Sequence, residues 1–592
     1  MLRTKTLGEL RAADAGSTVT LAGWVHTRRD HGNVTFIDLR DRYGITQIVA
    51  HATEQAAAHA ALKDARNEWV LQVKGTVRPR KEGTKNPKLA TGEIEVAAEQ
   101  ITVINESKTP PFYVNEETAV DENLRWKYRY IDLRREGSKE LMRLRHEVVA
   151  FIREYLTKRD FWEIETPTMI RSDPTGARDF VVPSRYYPGK FWALPQSPQQ
   201  LKQILMVGGI DKYFQIAHCY RDEDPRADRV YEHTQLDFEM AFVEPEDVMS
   251  TLEALYIEIF KKFARKPLAV TPVPRLTYAD AMRRYGIDRP DIRFALELVD
   301  LTDSVRGTAF NAFGSVIDAG GAVRGVVAPG KADATRKEID AWQAIAKTKG
   351  AKGLASFAFA GSEVRSPVAK FLTAEELAGL RTASKAKDGD LLLAVADTFD
   401  VASKSLGVVR ERLGTELRLA DTTKHYAVWI TEFPLVDRTP EGGWTFAHNP
   451  FCAPLSDEDL ALLDTDPEKA RSKQYDFTID GKEIFGGSVR IHQRAVQERV
   501  FAQMGVSKEE AATRFGALLD ALEYGAPPSG GVGAGIDRLV MTLAGTENVR
   551  EVQAFPKTQT GYDPLLDAPA PITDEQLKEL GLKVIAPPRP TA

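Results

Sequence analysis

The run Phe214-Gln-Ile-Ala-His-Cys-Tyr-Arg221-Asp222-Glu223-Asp-Pro-Arg-Ala-Asp-Arg229, continuing to Thr234-Gln-Leu-Asp237-Phe-Glu239, crowds arginines and carboxylates between two apolar stretches. It reads as strand, charged loop and strand, which would hold those charges over one concave surface. Arginine grips phosphate oxygens through paired N–H bonds, and acids beside it can hold Mg2+ or an ammonium group. That is the chemistry a nucleoside triphosphate site needs. A solvated hairpin loop is the commoner fate of such a run, so other segments have to agree.

Two further segments agree. Downstream, Gly531-Val-Gly-Ala-Gly535-Ile536-Asp537-Arg538 places glycines, which let backbone approach a ligand, ahead of an apolar helix-like run that starts with an arginine. Upstream, Leu141 to Lys158 has apolar residues at helical spacing and is followed by Phe161-Trp-Glu-Ile-Glu-Thr-Pro167. Near the start, five short runs alternate apolar and polar residues at period two, including Val19 to Val25, Val34 to Leu39 and Trp69 to Gly75. They predict a small Greek-key barrel of the OB kind, whose open face suits unstacked bases. The fold class is therefore multidomain α+β: an OB-type barrel over 1–106, a proline-bearing linker over 107–135, and a catalytic domain in two parts, 136–294 and 426–565. An inserted α/β domain over 295–425 and a proline-rich tail over 566–592 complete it.

Taken in order, the helix and proline-ended strand, the arginine hairpin and the Gly-rich strand with its arginine resemble the three signature motifs of class II aminoacyl-tRNA synthetases. Gln196-Ser-Pro-Gln199-Gln-Leu-Lys202-Gln, Thr234-Gln-Leu-Asp237, Gly486-Gly-Ser-Val-Arg490-Ile-His and Glu523-Tyr-Gly-Ala-Pro-Pro narrow the resemblance to the bacterial-type aspartyl-tRNA synthetases, along nearly the whole chain. The resemblance implies an antiparallel catalytic sheet and ATP-dependent attachment of L-aspartate to tRNA-Asp through an aspartyl-adenylate. It also implies a homodimer built on the helix from Leu141 and the strand ending at Pro167.

By the same resemblance, Arg221 grips the α-phosphate and the substrate carboxylate, Arg538 the γ-phosphate, and Glu223 the adenine side. Glu483 joins Arg221 and Arg538 as a catalytic residue. Asp222, His233, Gly535, Ile536 and Asp537 complete the ATP contacts, and Asp476 with Glu483 hold Mg2+. Around aspartate stand Thr175, Gln199, Lys202, Arg221, Asp237, His448 and Arg490, with Lys202 and Arg490 supplying the charge that an asparagine amide cannot return. On the barrel, Arg29, His31, Phe36, Gln47, Arg78, Gly83 and Glu93 face the anticodon. From its residue type alone Phe36 reads as barrel core.

Several positions depart from the family pattern. Thr175 stands where an acid is usual, Asn449 for a second histidine, His233 for a stacking aromatic, Val230 for a glutamine and Phe485 for a glycine. The alternatives are an asparaginyl- or lysyl-tRNA synthetase and a non-catalytic relative that binds tRNA or amino acid only. His31 and Gly83 occupy places where a leucine and a lysine accompany strict recognition of tRNA-Asp. Their presence implies that tRNA-Asn is charged as well.

Bulk properties are compatible. The chain has 592 residues, 43% hydrophobic and 28% charged, enough for several cores. No apolar run approaches the roughly 18 residues of a membrane span, and the polar start Met1-Leu-Arg-Thr-Lys does not read as a secretory signal. Two cysteines, Cys219 and Cys452, exclude a disulfide scaffold and a four-cysteine zinc site and suit the cytoplasm. A net charge of −6 means that RNA would have to be met by a local basic patch. No membrane or DNA partner is expected.

Overall fold

The computed structural model describes residues 1–115, 118–172, 177–361 and 363–585; Thr175, expected beside aspartate, lies outside them. The chain divides into two compact units. One comprises Met1–Arg145, Pro225–Ala227 and Asn548–Ile572; the other comprises His146–Asp224, Asp228–Glu547 and the tail from Thr573.

In the first unit, Thr18–Asp30, Val34–Arg40, Ile45–His51, Val70–Pro79 and Ile94–Asn105 form a closed barrel in which the fifth strand lies between the third and the fourth. Alternation dictates its core: Val19, Leu21 and Val25 turn inward and meet Ile37, Leu39, Val73 and Val96. A bulge between Val25 and Thr27 adds the twist that closure demands. Two helices follow, Glu122–Lys127, capped by the Asp121 side chain, and Arg129–Asp132. Trp126, 2% exposed, lies under the guanidinium groups of Arg125 and Arg129.

The second unit is built on an eight-stranded sheet. Its order is Arg275–Thr277, Ala427–Thr431, Gln474–Ile479, Lys482–Val489, Ser529–Gly535, Glu232–Ala241, Lys212–Tyr220 and Trp162–Glu163. All pairs are antiparallel except the two at the edges. Helix Pro245–Phe263 begins with proline and a capping box between Glu244 and Asp247, and its buried face carries Val248, Leu252, Tyr256 and Ile259. Tyr256 meets Phe477 and Phe485 there, with ring centroids at 5.5 and 4.9 Å. Phe485 thus fills an aromatic core.

Residues 299–397 form a separate five-stranded sheet, antiparallel throughout, with apolar cores on both faces. Arg410, fully buried, pins the chain that leads into this region by donating to the carbonyls of Asp291 at 2.7 Å and Phe294 at 3.1 Å. The proline-rich tail carries one short helix, Asp574–Glu579, capped by Thr573. Its composition did not announce it.

Candidate active site

The site is organised by strand Glu232–Ala241, where Gln235, Asp237 and Glu239 share one face. They lie opposite Gly535, Gly533 and Gly531. The glycines are required by space: a Cβ on Gly531 would stand 1.9 Å from Phe238 O, and one on Gly533 2.8 Å from Gln235 Oε1. Side chains on one strand therefore occupy the volume left vacant on the next.

Two cations meet these acids. Lys202, 1% exposed on helix Gln199–Val207, donates through Nζ to Asp237 Oδ1 at 2.9 Å and Val532 O at 3.1 Å, with Glu239 Oε2 at 3.3 Å. Arg490 binds Glu239 with Nε at 2.9 Å and Nη2 at 3.0 Å, and donates to Ser488 Oγ at 2.7 Å and Gly531 O at 3.1 Å. Burial opposes ionisation of Glu239, but Arg490 and Lys202 outweigh it and hold its carboxyl below the usual range. Burial prevails at Asp237, whose carboxyl is raised despite Lys202. Glu239, which unites the two cations, was not singled out from sequence. Its period-two spacing from Asp237 was the available signal.

Four buried polar atoms around this cluster have no hydrogen-bond partner among the described residues: the donors Arg221 Nε and Gln199 Nε2, and the acceptors Asp237 Oδ2 and Gln235 Oε1. Buried polar groups are ordinarily satisfied, so such a set marks a place for a ligand. Two donors suit carboxylate or phosphate oxygens, and two acceptors suit ammonium.

Beside it, the backbone N–H of Arg221 closes the arginine hairpin on Tyr231 O at 2.9 Å. Glu223 is ion-paired with Arg229, and Asp222 lies 3.5 Å from Arg178. Arg538, near the start of helix Ile536–Ala544, donates to Glu483 O at 2.6 Å, with Asp228 at 3.8 Å. Gly535 is the N-cap of that helix and Ile536 is buried in its first turn. The Asp537 carboxylate accepts the Thr234 N–H at 2.7 Å, tying the helix start to the central strand. Burial, reinforced by Arg221 and Arg538, lowers the His233 imidazole to about 4, so the ring is neutral at pH 7. His233 lies 3.2 Å from the Gln235 amide.

Asp476 is buried, accepts from Gln474 Nε2 at 3.2 Å and lies opposite Gly486. A Cβ on Gly486 would stand 2.5 Å from Asp476 Oδ1 and 3.3 Å from His448 Nε2, so the glycine admits both groups. Burial and the charge of Glu483 raise the Asp476 carboxyl well above its usual range. Two hard oxygen donors in mutual repulsion are a set that a divalent cation relieves, so these residues fit Mg2+. Asn449 is engaged in its own turn, where its Oδ1 accepts the Phe451 N–H at 3.0 Å.

A second site lies on the barrel, a cavity of about 480 Å³ lined by Arg29, His31, Phe36, Gln47, Arg78 and Glu95 among others. Arg29 reaches Gln47 Oε1 at 3.3 Å, Gln47 donates to Glu95 Oε2 at 2.8 Å, and Arg78 donates to Glu95 Oε1 at 2.9 Å. Phe36 is wall rather than core, edge-on to His31 at 5.9 Å. Glu93 lies apart from this cavity. It precedes the strand that begins at Ile94, is exposed, pairs with Lys85 at 3.7 Å and is absent from the cavity wall. The acid that lines the cavity is Glu95. Gly83 has a left-handed φ of +81° with open space around its Cα.

A model of the tRNA synthetases class II (D, K and N) matches residues 121–559, and one of the OB-fold nucleic acid binding domain matches 19–104. The chain is 50% identical over 587 residues to a Rubrobacter xylanophilus protein named aspartate–tRNA(Asp/Asn) ligase, covering 99% of this chain and 98% of that one. It is 49% identical to the Geobacillus kaustophilus aspartate–tRNA ligase, covering 99% and 100%. Among solved structures, a Leishmania major aspartyl-tRNA synthetase shares the fold with a TM-score of 0.59 at 19% identity, covering 94% and 93% of the two chains. The Pyrococcus horikoshii asparaginyl-tRNA synthetase with asparaginyl-adenylate matches at 0.58 and 18%, covering 94% and 99%.

Proposed function

Since the chain belongs to the class II tRNA synthetases of the D, K and N group, we propose that it is an aspartate–tRNA ligase that charges both tRNA-Asp and tRNA-Asn. The observation that carries this reading is the quartet of unpartnered buried atoms, Arg221 Nε, Gln199 Nε2, Asp237 Oδ2 and Gln235 Oε1, set around the Lys202–Glu239–Arg490 cluster. Asp237 and Gln235 take the substrate ammonium. Arg490, backed by Lys202, takes the side-chain carboxylate through its remaining N–H. Asparagine would leave that donor without a charged partner, which is how the site rejects it.

Arg221 draws the α-carboxylate and the α-phosphate together against their repulsion, and Arg538 holds the outer phosphate. A carboxylate oxygen then bonds to the α-phosphorus as the bond to pyrophosphate breaks. Neutral His233 offers a flat face to adenine, beside Glu223. Mg2+ held by Asp476 and Glu483 would neutralise phosphate charge. In the second step the terminal ribose hydroxyl of the tRNA attacks the activated carbonyl and AMP leaves, so no protein nucleophile is needed.

On the barrel, the Arg29–Gln47–Glu95–Arg78 network and Phe36 receive the anticodon. His31 can donate or accept according to tautomer, and Gly83 presents no side chain. Both support tolerance of C and U at the third anticodon base. The Rubrobacter xylanophilus relative, named for both tRNAs, favours the same reading. The exposed surface of Trp162 and Met169, 59% and 53% accessible, supports a homodimer through the proline-ended segment. Buried unpaired Cys219 and Cys452 suit a reducing cytoplasm. Among the described residues no helix is long and apolar enough to cross a membrane.

The decisive assay is ATP–pyrophosphate exchange with aspartate, asparagine and lysine in parallel; only aspartate should support it. Charging of the two tRNA transcripts follows. A preference for tRNA-Asp beyond roughly a hundredfold, about 2.7 kcal/mol, would show that His31 and Gly83 discriminate after all.

A further inference from the structure

The loop that begins with Arg221 and Glu223 is held farther along by residues that the proposed chemistry does not use. Its carbonyls at Arg226 and Ala227 accept from Arg550 Nη1 at 3.0 Å and from the Val549 N–H at 2.9 Å. Arg550 is 3% exposed, and its Nε donates at the same time to Lys557 O at 2.9 Å. One guanidinium thus bridges two stretches of backbone, a geometry that the planar fork allows and a lysine cannot reproduce.

The anchor is itself braced within the same compact unit. Arg125 clamps the neighbouring Glu551 with bonds of 2.6 and 2.8 Å. Arg129, 1% exposed, donates to Ala554 O at 2.9 Å and Gln553 O at 2.8 Å. Asp132, fully buried, joins Arg125 at 2.8 Å and also pairs with Arg129. Next along the chain, Arg134 reaches Glu68 of the barrel at 2.8 Å. Charged contacts and short backbone spans therefore run from the barrel to the carbonyls of the arginine loop.

We infer that Arg550 is a positioning residue for the nucleotide step: through the Arg226 carbonyl it fixes the loop so that Arg221 and Glu223 meet ATP already in place. The inference rests on the reading of those two residues as ATP contacts. A loop held before ATP arrives loses less conformational freedom on binding, so the effect falls on ATP and not on aspartate.

The test is aspartate-dependent pyrophosphate exchange with the full chain and three variants, Arg550→Met, Arg550→Lys and Arg221→Ala, with melting curves alongside. Arg550→Met should raise KM for ATP at least fivefold while KM for aspartate moves less than twofold. Arg550→Lys keeps a single bond and should raise KM for ATP by a smaller factor, still at least twofold; it carries the test if the methionine variant does not fold. A smaller rise in KM for ATP in the folded variants, or both constants rising together with a lowered Tm, would overturn the proposal. Arg221→Ala separates the two readings. If it leaves KM for ATP unchanged, the site assignment itself fails. If it abolishes exchange while Arg550→Met behaves as the parent, only the anchor fails.

Discussion

Arg490 commits four of its five N–H groups inside the protein, three of them to Glu239 and Ser488. Arg490→Ala should therefore do two things: remove aspartate activation and leave Glu239, which is fully buried, without its two-pronged partner. The second effect should lower folding stability by about 3 to 5 kcal/mol, read by chemical denaturation. Unchanged stability would mean that the pair is not formed in solution. His233 supplies a pH dependence. Its unfolded value near 6.5 exceeds the folded value of about 4, so between these the unfolded chain binds more protons. Stability from this group is whole above pH 6.5 and is lost as pH falls toward 4, by up to about 3 kcal/mol. Denaturation of the parent and His233→Phe across that window should show the parent losing stability relative to the variant. A constant difference would contradict the depressed value.

At the scale of elements, the Gly-rich strand decides where charge can be buried. Gly531→Ala would drive a methyl group into Phe238 O and Glu239 Oε2, 1.9 and 2.2 Å away, so the strands must part. Overpacking of this kind costs about 1 to 3 kcal/mol, and here it also moves Glu239. The variant should raise KM for aspartate and melt earlier; parental behaviour in both would refute the close packing. Period-two alternation made the barrel strands legible, and helical spacing did the same for the long helix before Phe161. Register was not legible. Glu93 and Glu95 are equivalent as letters, and only the point where strand pairing begins separates them. Glu239 shows only its period-two spacing from Asp237, and Arg550 shows nothing. What fixes them is a neighbour distant in sequence: the opposing Gly531 in one case, and the Arg226 carbonyl in the other. Residue type alone puts Phe36 in the core, whereas the buried core of this barrel is aliphatic and Phe36 lines the open cavity.

For the whole molecule, the proposed homodimer predicts that sedimentation velocity at micromolar concentration gives twice the 65.8 kDa chain mass, with the exposed Trp162 and Met169 covered by the partner protomer. A monomer would leave that surface unexplained. The unit that contains the barrel also has an unusual relation to time. Its last segment, Asn548–Ile572, is made roughly 400 residues after Arg145, which at ribosomal speed is a delay of about 20 to 80 s. The barrel strands and their core are complete long before that. Arg125 and Arg129 meanwhile wait without Glu551, Gln553 and Ala554, their eventual acceptors. A chain stopped after Glu547 would hold every described strand of the barrel and both large sheets, yet its Arg125 and Arg129 would keep only Asp132 among these partners and leave residues 118–135 open to proteases.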